Sequence, residues 1–367
     1  MLIEKTDILN FKNIREARID FSPGVNCLLG SNGMGKSNLL EAIHFLCMAR
    51  PMSSIPETGL IRHGEDLMSV QASFLMDIGS TEKINIGIIK GKGKTLKRNG
   101  KEYDRISRHI GVFPIVSVTP SDSDIVTGSA IERRRMMDMV LSQADATYLS
   151  NLIRYNRGLE NRNSMLRAGM KDPVLFESVE AGMAESASAV FSSRKRWVES
   201  LAPIVAANYS EISGGEEALG IEYKSVLGDM PMEEVFRINR TKDAALGYTS
   251  SGIHRDDILS MLNGFNIRNF GSQGQIKSFT IALRLAIFDY LKHSGGETPL
   301  LLLDDIFDKL DSKRVARIMG MVSRSNAFGQ IFITDTNREH LDETLESLTG
   351  PKQMLLVENG QFQTTDY

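Results

Sequence analysis

Gly30-Ser31-Asn32-Gly33-Met34-Gly35-Lys36-Ser37 satisfies the pattern G-x-x-x-x-G-K-[ST] at every specified position. Immediately upstream, residues 25–29 are an apolar run that reads as a buried strand. Downstream, Leu39, Leu40, Ile43, Leu46 and Cys47 recur at helical spacing. Strand, loop, helix is the setting in which this pattern cradles a phosphate chain. The glycines let successive backbone N–H groups turn toward one anion, and the helix presents its positive end to the same charge. Lys36 can reach the β and γ phosphates, and the Ser37 hydroxyl can hold Mg²⁺. The candidate ATP-binding set is Gly30, Ser31, Asn32, Gly33, Met34, Gly35, Lys36, Ser37 and Asn38.

A second signal lies roughly 270 residues further on. Residues 300–303 are four leucines, followed by Asp304 and Asp305. A buried strand delivering two carboxylates suits a phosphate site: Asp304 would hold Mg²⁺ with Ser37, and Asp305 would orient or deprotonate the attacking water. Lys36, Asp304 and Asp305 are the candidate catalytic set. The separation demands a large insertion between the halves of one α/β domain.

The rest of the chain is organised accordingly. Residues 2–11 alternate as a strand; residues 70–89 read as two strands split near Gly79-Ser80; a third strand is expected near residues 101–103, after a loop at 91–94, and another at 113–118. Between about 132 and 208 glycine and proline thin out, and apolar residues recur at three and four, predicting a helical segment that Ser213-Gly214-Gly215 either ends or joins to the next part. Residues 330–334 read as another buried strand. The expected organisation is an ATPase head from residues 1–120 and 246–367, holding a helical lobe at 121–245. The chain has 367 residues, 41% hydrophobic and 24% charged, with net charge −3, which excludes disorder as its main state. Two cysteines, Cys27 and Cys47, form no disulfide framework or zinc pattern. No signal-peptide pattern and no apolar run of about 20 residues is visible. A cytoplasmic protein without a membrane partner is expected.

Gly271-Ser272-Gln273-Gly274-Gln275 precedes an apolar helical run at 276–291. Phosphate loop, Ser-x-Gly-Gln, acidic strand, then Leu310-Asp311 resembles the order in ABC-type ATPases. The resemblance narrows to the RecF family of bacterial recombination-repair ATPases. Its landmarks run in order: Asn10-Phe11-Lys12-Asn13, residues 38–43, Arg133-Arg134-Arg135, Tyr155-Asn156-Arg157-Gly158-Leu159 with Arg162-Asn163, His254-Arg255-Asp256-Asp257, the signature, and residues 302–310. The family resemblance implies an ABC-type P-loop head of mixed sheet with an antiparallel subdomain and an α-helical second lobe. It also implies ATP with Mg²⁺ and an ATP-dependent homodimer in which Ser272, Gln273, Gly274 and Gln275 of one subunit close over ATP held by the other. The further implied activity is slow hydrolysis by a clamp on duplex and gapped DNA that helps load recombinase with RecR and RecO. The chain departs from the family pattern at Lys12 (usually arginine), Ile253 (usually proline), Ile276-Lys277-Ser278 (usually Gln-Arg-Thr) and Asp335-Thr336, where many ABC ATPases place a histidine switch. No Q-loop glutamine is assignable between residues 111 and 130.

Charge is uneven. Residues 90–108 carry eight basic side chains against two acidic ones. Lys92, Lys94, Lys97, Arg98 and Lys101 are the candidate DNA contacts, sequence-independent because no base-reading motif is present. Arg133–Arg135 and residues 194–196 read instead as structural or solvated charges. Two other functions share the loop and acids: an ABC transporter nucleotide-binding subunit, disfavoured by an insert of this size, and a non-catalytic ATP-gated scaffold. A P-loop kinase leaves the signature unexplained.

Overall fold

The computed structural model describes residues 1–53, 55–215, 217–306, 310–323, 328–347 and 350–365. Within the landmark at 302–310, Phe307, Asp308 and Lys309 lie outside the described residues. The chain divides into two compact units, residues Met1–Asp122 with Leu283–Tyr367, and residues Ser123–Ala282.

The first unit opens with strands β1 (Leu2–Phe11), β2 (Ile14–Asp20) and β3 (Val25–Leu29), then helix α1 (Lys36–Met48). Strands β4 (Leu67–Leu75), β5 (Thr81–Ile89), β6 (Gly93–Arg98), β7 (Lys101–Glu102) and β8 (Ile115–Val118) follow. Antiparallel pairing in the order β2-β1-β4-β5-β6-β7 makes one sheet. The strand expected near 101–103 is present as the two-residue β7, and a longer strand, β6, runs through 93–98, taking in residues 93 and 94 of the expected loop. Its lysines and glycine resemble a loop, but lysines are also what keeps a strand near a sheet edge from pairing with other chains. Asn99 and Gly100, at φ 51° and 81°, turn β6 into β7, the two-residue hairpin that Asn-Gly favours.

In the second unit, α2 (Ser123–Thr127), α3 (Ala130–Ala144), α4 (Ala146–Arg167) and the 41-residue α5 (Pro173–Ser213) are followed by β9 (Leu219–Lys224) and α6 (Met232–Leu246). Then come β10 (Asp257–Leu262), β11 (Phe265–Asn266), α7 (Ile267–Phe270) and α8 (Gln273–His293), within which the division between units falls. Helix α5 starts with Asp172 accepting from the Val174 N–H and Pro173 in the first turn, and stops at Gly214 in the left-handed region, φ 97°. Residues 246–282 group with the helices, whereas the head was expected to resume at 246. Strand β10 pairs with β9, and Arg133 of α3 clamps Asp257 with bonds of 2.6 and 3.1 Å.

The chain returns to the first unit through β12 (Leu300–Asp304), α9 (Ser312–Ser323), β13 (Ile331–Asp335), α10 (Arg338–Ser347), β14 (Lys352–Glu358) and β15 (Gln361–Thr365). The second sheet of this unit is ordered β15-β14-β3-β13-β12-β8, parallel except for β15 at the edge. Its central strands are buried along their length, which is why they read as continuous apolar runs.

Three histidines are held neutral inside these units. Burial lowers the pKa of His44 to about 3, and those of His109 and His254 to about 4. Their unfolded counterparts titrate near 6.5, so the folded form binds fewer protons below that pH and stability falls as pH drops from about 6.5 toward 4. Urea melts at pH 7.5 and 5.5 should show a loss of about 1.4 kcal/mol for each such histidine in the unit that melts. Invariant midpoints across this range would refute the burial of neutral imidazoles.

Candidate functional site

Parallel pairing places the ends of β3, β13 and β12 side by side, with Leu28 opposite Thr334 and Thr334 opposite Asp304. The phosphate loop leaves β3 and the two aspartates end or follow β12, so a span of some 270 residues closes to hydrogen-bond distance. Ser37 Oγ donates to Asp304 Oδ1 at 2.9 Å. Thr334 Oγ1 donates to the same oxygen at 2.7 Å and accepts the Asp305 N–H at 3.0 Å. Asp304 and Thr334 are both buried. Asp305 sits at φ 49°, in the left-handed region.

Lys36 is 7% exposed, and its ammonium donates to the carbonyls of Gly30 and Ser31, the latter at 3.1 Å. Burial pulls its pKa below the usual lysine value, against the opposing charges of Asp305, Asp304 and Asp335. Ser31, Asn32, Gly33 and Ser37 are exposed, Met34 is half-buried and Gly35 is buried. Gly30 lies against β14 so closely that a Cβ would come within 2.4 Å of the Val357 carbonyl. Gly35 adopts φ 120°, with no room beside Asn13.

The loop is braced by residues that the motif does not name. Asn13 Nδ2 donates to the Gly33 carbonyl at 3.2 Å, and Asn13 Oδ1 accepts from Asn38 at 2.7 Å. Arg62 donates to the Asn13 carbonyl, and the Gly360 N–H donates to the Met34 carbonyl at 2.7 Å. Lys12 ion-pairs with Glu41 of α1. Asn13 lies within the family landmark at 10–13, so its position is visible in the sequence but its task is not. Thr334 ends the strand expected at 330–334 and Gly360 sits in an Asn-Gly hairpin, both legible, but nothing in the sequence ties either to the site. Asp335, where a histidine switch is usual, accepts the N–H groups of Thr336 and Asn337 at 2.6 and 2.9 Å, and His340 Nδ1 stands 3.2 Å from its other oxygen.

The Ser37 hydroxyl beside the Asp304 carboxylate is a hard oxygen donor set of the kind Mg²⁺ takes together with phosphate oxygens. The residues therefore fit the ion expected there. Among the described residues no cluster of three or more His, Cys, Asp or Glu side chains offers an all-protein metal cage.

In the second unit, Ser272-Gln273-Gly274-Gln275 opens α8 as a capping box: Ser272 N–H donates to Gln275 Oε1 at 2.7 Å, and Gln275 N–H to Ser272 Oγ at 3.2 Å. Gln275 also donates to Glu217. Ser272 and Gln273 are exposed.

The basic residues divide. Lys94 is drawn inward, donating to the Ala49 carbonyl at 2.6 Å and pairing with Glu57. Arg98 is clamped by Glu82 with bonds of 3.0 and 2.8 Å, which raise its pKa further. Both side chains are committed within the unit, whereas Lys92, Lys97 and Lys101 are exposed. The remaining landmarks build the interior of the second unit. Arg162 bonds Glu180, Asp243 and Thr249 at 2.9, 2.7 and 2.8 Å, Arg194 bonds Asp138 and Asp256 at 2.7 and 2.9 Å, and His254 accepts or donates at 2.7 Å with the Tyr155 hydroxyl.

A phosphate loop beside an acidic strand in a largely parallel sheet, with an antiparallel sheet in the same unit and a Ser-x-Gly-Gln helix start, defines an ATPase head of the ABC and SMC type. The model of the RecF/RecN/SMC N-terminal domain matches residues 2–355. DNA replication and repair protein RecF of Porphyromonas gingivalis is 46% identical over 363 residues, covering 99% of this chain and 100% of the relative. That of Parabacteroides distasonis is 44% identical, covering 99% of both. A solved structure of the recombination mediator protein RecF with ATP, in the RecFOR pathway, superposes with a TM-score of 0.88 at 28% identity, covering 99% of this chain and 97% of the other. An Smc head bound to the C-terminal winged-helix domain of ScpA shares the fold at 17% identity, TM-score 0.57. The chain belongs to the RecF family of DNA replication and repair proteins.

Among the described residues, no helix is long and apolar enough to cross a membrane.

Proposed function

We propose that this chain is an ATP-gated clamp that closes as a homodimer on duplex DNA near single-strand gaps and helps load recombinase. The observation that carries this reading is the meeting of Ser37, Asp304 and Thr334 beside the Lys36 loop. Residues Gly30 to Ser37 would bind the phosphate chain, with Lys36 turning from its own loop carbonyls to the β and γ phosphates and Asn38 held by Asn13. Ser37 and Asp304 would hold Mg²⁺, which supplies charge neutralisation on the phosphate oxygens. Asp305 would orient the attacking water. Ser272, Gln273, Gly274 and Gln275 of the facing subunit would cap the γ-phosphate, a role supported by their position at the N-terminus of the 21-residue α8. Loss of the γ-phosphate then removes the contact shared by the two subunits. Asp305 is one methylene shorter than the glutamate usual in ABC ATPases, which favours slow turnover and a switch over a motor. RecO and RecR are the proposed protein partners, supported by the pathway named for the ATP-bound relative. Cytoplasmic residence follows from this role.

Fluorescence anisotropy of a labelled gapped duplex tests the clamp. Binding should require ATP and Mg²⁺, and Asp305→Asn should retain it while hydrolysis is lost. Replacing Lys92, Lys97 and Lys101 together by alanine should weaken binding and reduce the salt slope by up to about 2.7, about 0.9 per phosphate contact. Equal binding with and without nucleotide would overturn the gating, and an unchanged slope would remove these lysines from the DNA path.

A further inference from the structure

We infer that Thr334 is a positioning residue for both acidic groups of the nucleotide site. The inference rests on the reading that Asp304 and Asp305 serve ATP turnover, and adds the residue that sets their geometry.

The placement follows from sheet order. Strand β13 lies between β3, which feeds the phosphate loop, and β12, which ends in Asp304. The last residues of β13 therefore stand between loop and acids. Thr334 is fully buried there. A hydroxyl has one proton to give and two lone pairs, and Thr334 uses both capacities on the neighbouring strand. It donates to Asp304 Oδ1 at 2.7 Å and accepts from the Asp305 N–H at 3.0 Å. The first bond fixes the direction of the Asp304 carboxylate. The second ties down the backbone N–H of Asp305, which stands in a left-handed conformation, φ 49°, uncommon for residues other than glycine.

Ser37 makes the competing bond, also to Asp304 Oδ1, at 2.9 Å. A Ser37 hydroxyl that gave a lone pair to a cation would still have its proton for Asp304, and Thr334 is the second donor that fixes the carboxylate, from the neighbouring strand. Residues that orient a metal-holding carboxylate commonly affect metal affinity or activity by 10- to 100-fold. A β-branched side chain has little rotamer freedom and Thr334 is fully buried, so the hydroxyl direction is set by the backbone.

The test compares Thr334→Val, which keeps the shape and removes the hydroxyl, with Thr334→Ser, which keeps the hydroxyl. Binding of a fluorescent ATP analogue is titrated at fixed nucleotide with increasing Mg²⁺, and kcat and KM are measured separately. Thr334→Val should need at least about tenfold more Mg²⁺ for half-maximal binding and lose at least about tenfold in kcat, with nucleotide binding in EDTA unchanged. Thr334→Ser should restore both within about threefold. If Thr334→Val does not fold by circular dichroism, Thr334→Ala against Thr334→Ser isolates the same hydroxyl. Wild-type Mg²⁺ dependence and kcat in the hydroxyl-free variant overturn the inference. Absence of hydrolysis in the wild-type protein, or full hydrolysis by Asp304→Asn, overturns instead the reading on which it rests.

Discussion

Lys36→Met is expected to abolish ATP-dependent DNA binding while leaving the protein folded. The two hydrogen bonds of the Lys36 ammonium go to carbonyls of its own loop, Gly30 and Ser31, so no hydrogen bond to another element is lost, although its charge also faces Asp305, Asp304 and Asp335. Methionine preserves most of the buried alkyl chain. What disappears is the only cation that the motif aims at the phosphates. Hydrogen bonds from a charged donor contribute about 1.5–3 kcal/mol each, so losing one or two weakens nucleotide binding by at least about tenfold to a hundredfold. Titration with a fluorescent ATP analogue measures this directly, and circular dichroism melts check the fold. A variant that binds ATP and DNA as the wild type does would remove Lys36 from the site. A variant with a much lower melting temperature would show that the lysine holds the loop together.

The largest stability effect is expected from Arg162→Met. Arg162 is 1% exposed and ties α4 to α5 through Glu180, to α6 through Asp243, and to the following loop through Thr249. Its guanidinium also lies 4.7 Å from the Phe236 ring centroid. Removing it takes the ion-pair partner from buried Asp243 and leaves Glu180 only the exposed Arg240, at 3.1 Å. Breaking a buried pair on one side costs about 3–5 kcal/mol, a large part of the 5–15 kcal/mol that usually stabilises a domain. Arg135→Met is the control: its exposed bond to Glu132 at 3.1 Å contributes less than about 1 kcal/mol. Urea melts of the two variants should differ accordingly. Equal midpoints would mean that the carboxylates around Arg162 find water or protons at little cost.

The two predictions separate two kinds of landmark that look alike in sequence. Lys36 belongs to a motif whose spacing is dictated by a ligand, so its chemistry could be read from the order of residues. Arg162 and His254 lie in equally recognisable stretches, and Arg194 in a basic run, but their partners are side chains of distant segments. The burial that makes them structural is a property of packing. The lysines of residues 90–108 make the same point. Composition marks the whole stretch as basic, and only the position of Glu57, Ala49 and Glu82 withdraws Lys94 and Arg98 from it.

By itself the sequence determined the phosphate loop, the acidic strand that must meet it, the α/β class, and the long helical insert. These depend on local pattern: glycine where the backbone must turn toward an anion, apolar runs where strands are covered on both faces, and helical spacing where one face is buried. Tertiary structure alone decided that residues 246–282 pack with the helices, that a strand runs through 93–98, that Asn13, Arg62 and Gly360 brace the loop, and that Thr334 holds the acids. Each of these depends on strands and turns far apart in the chain coming together by sheet pairing. A single hydroxyl at the end of β13 becomes informative only when β3 and β12 stand on either side of it.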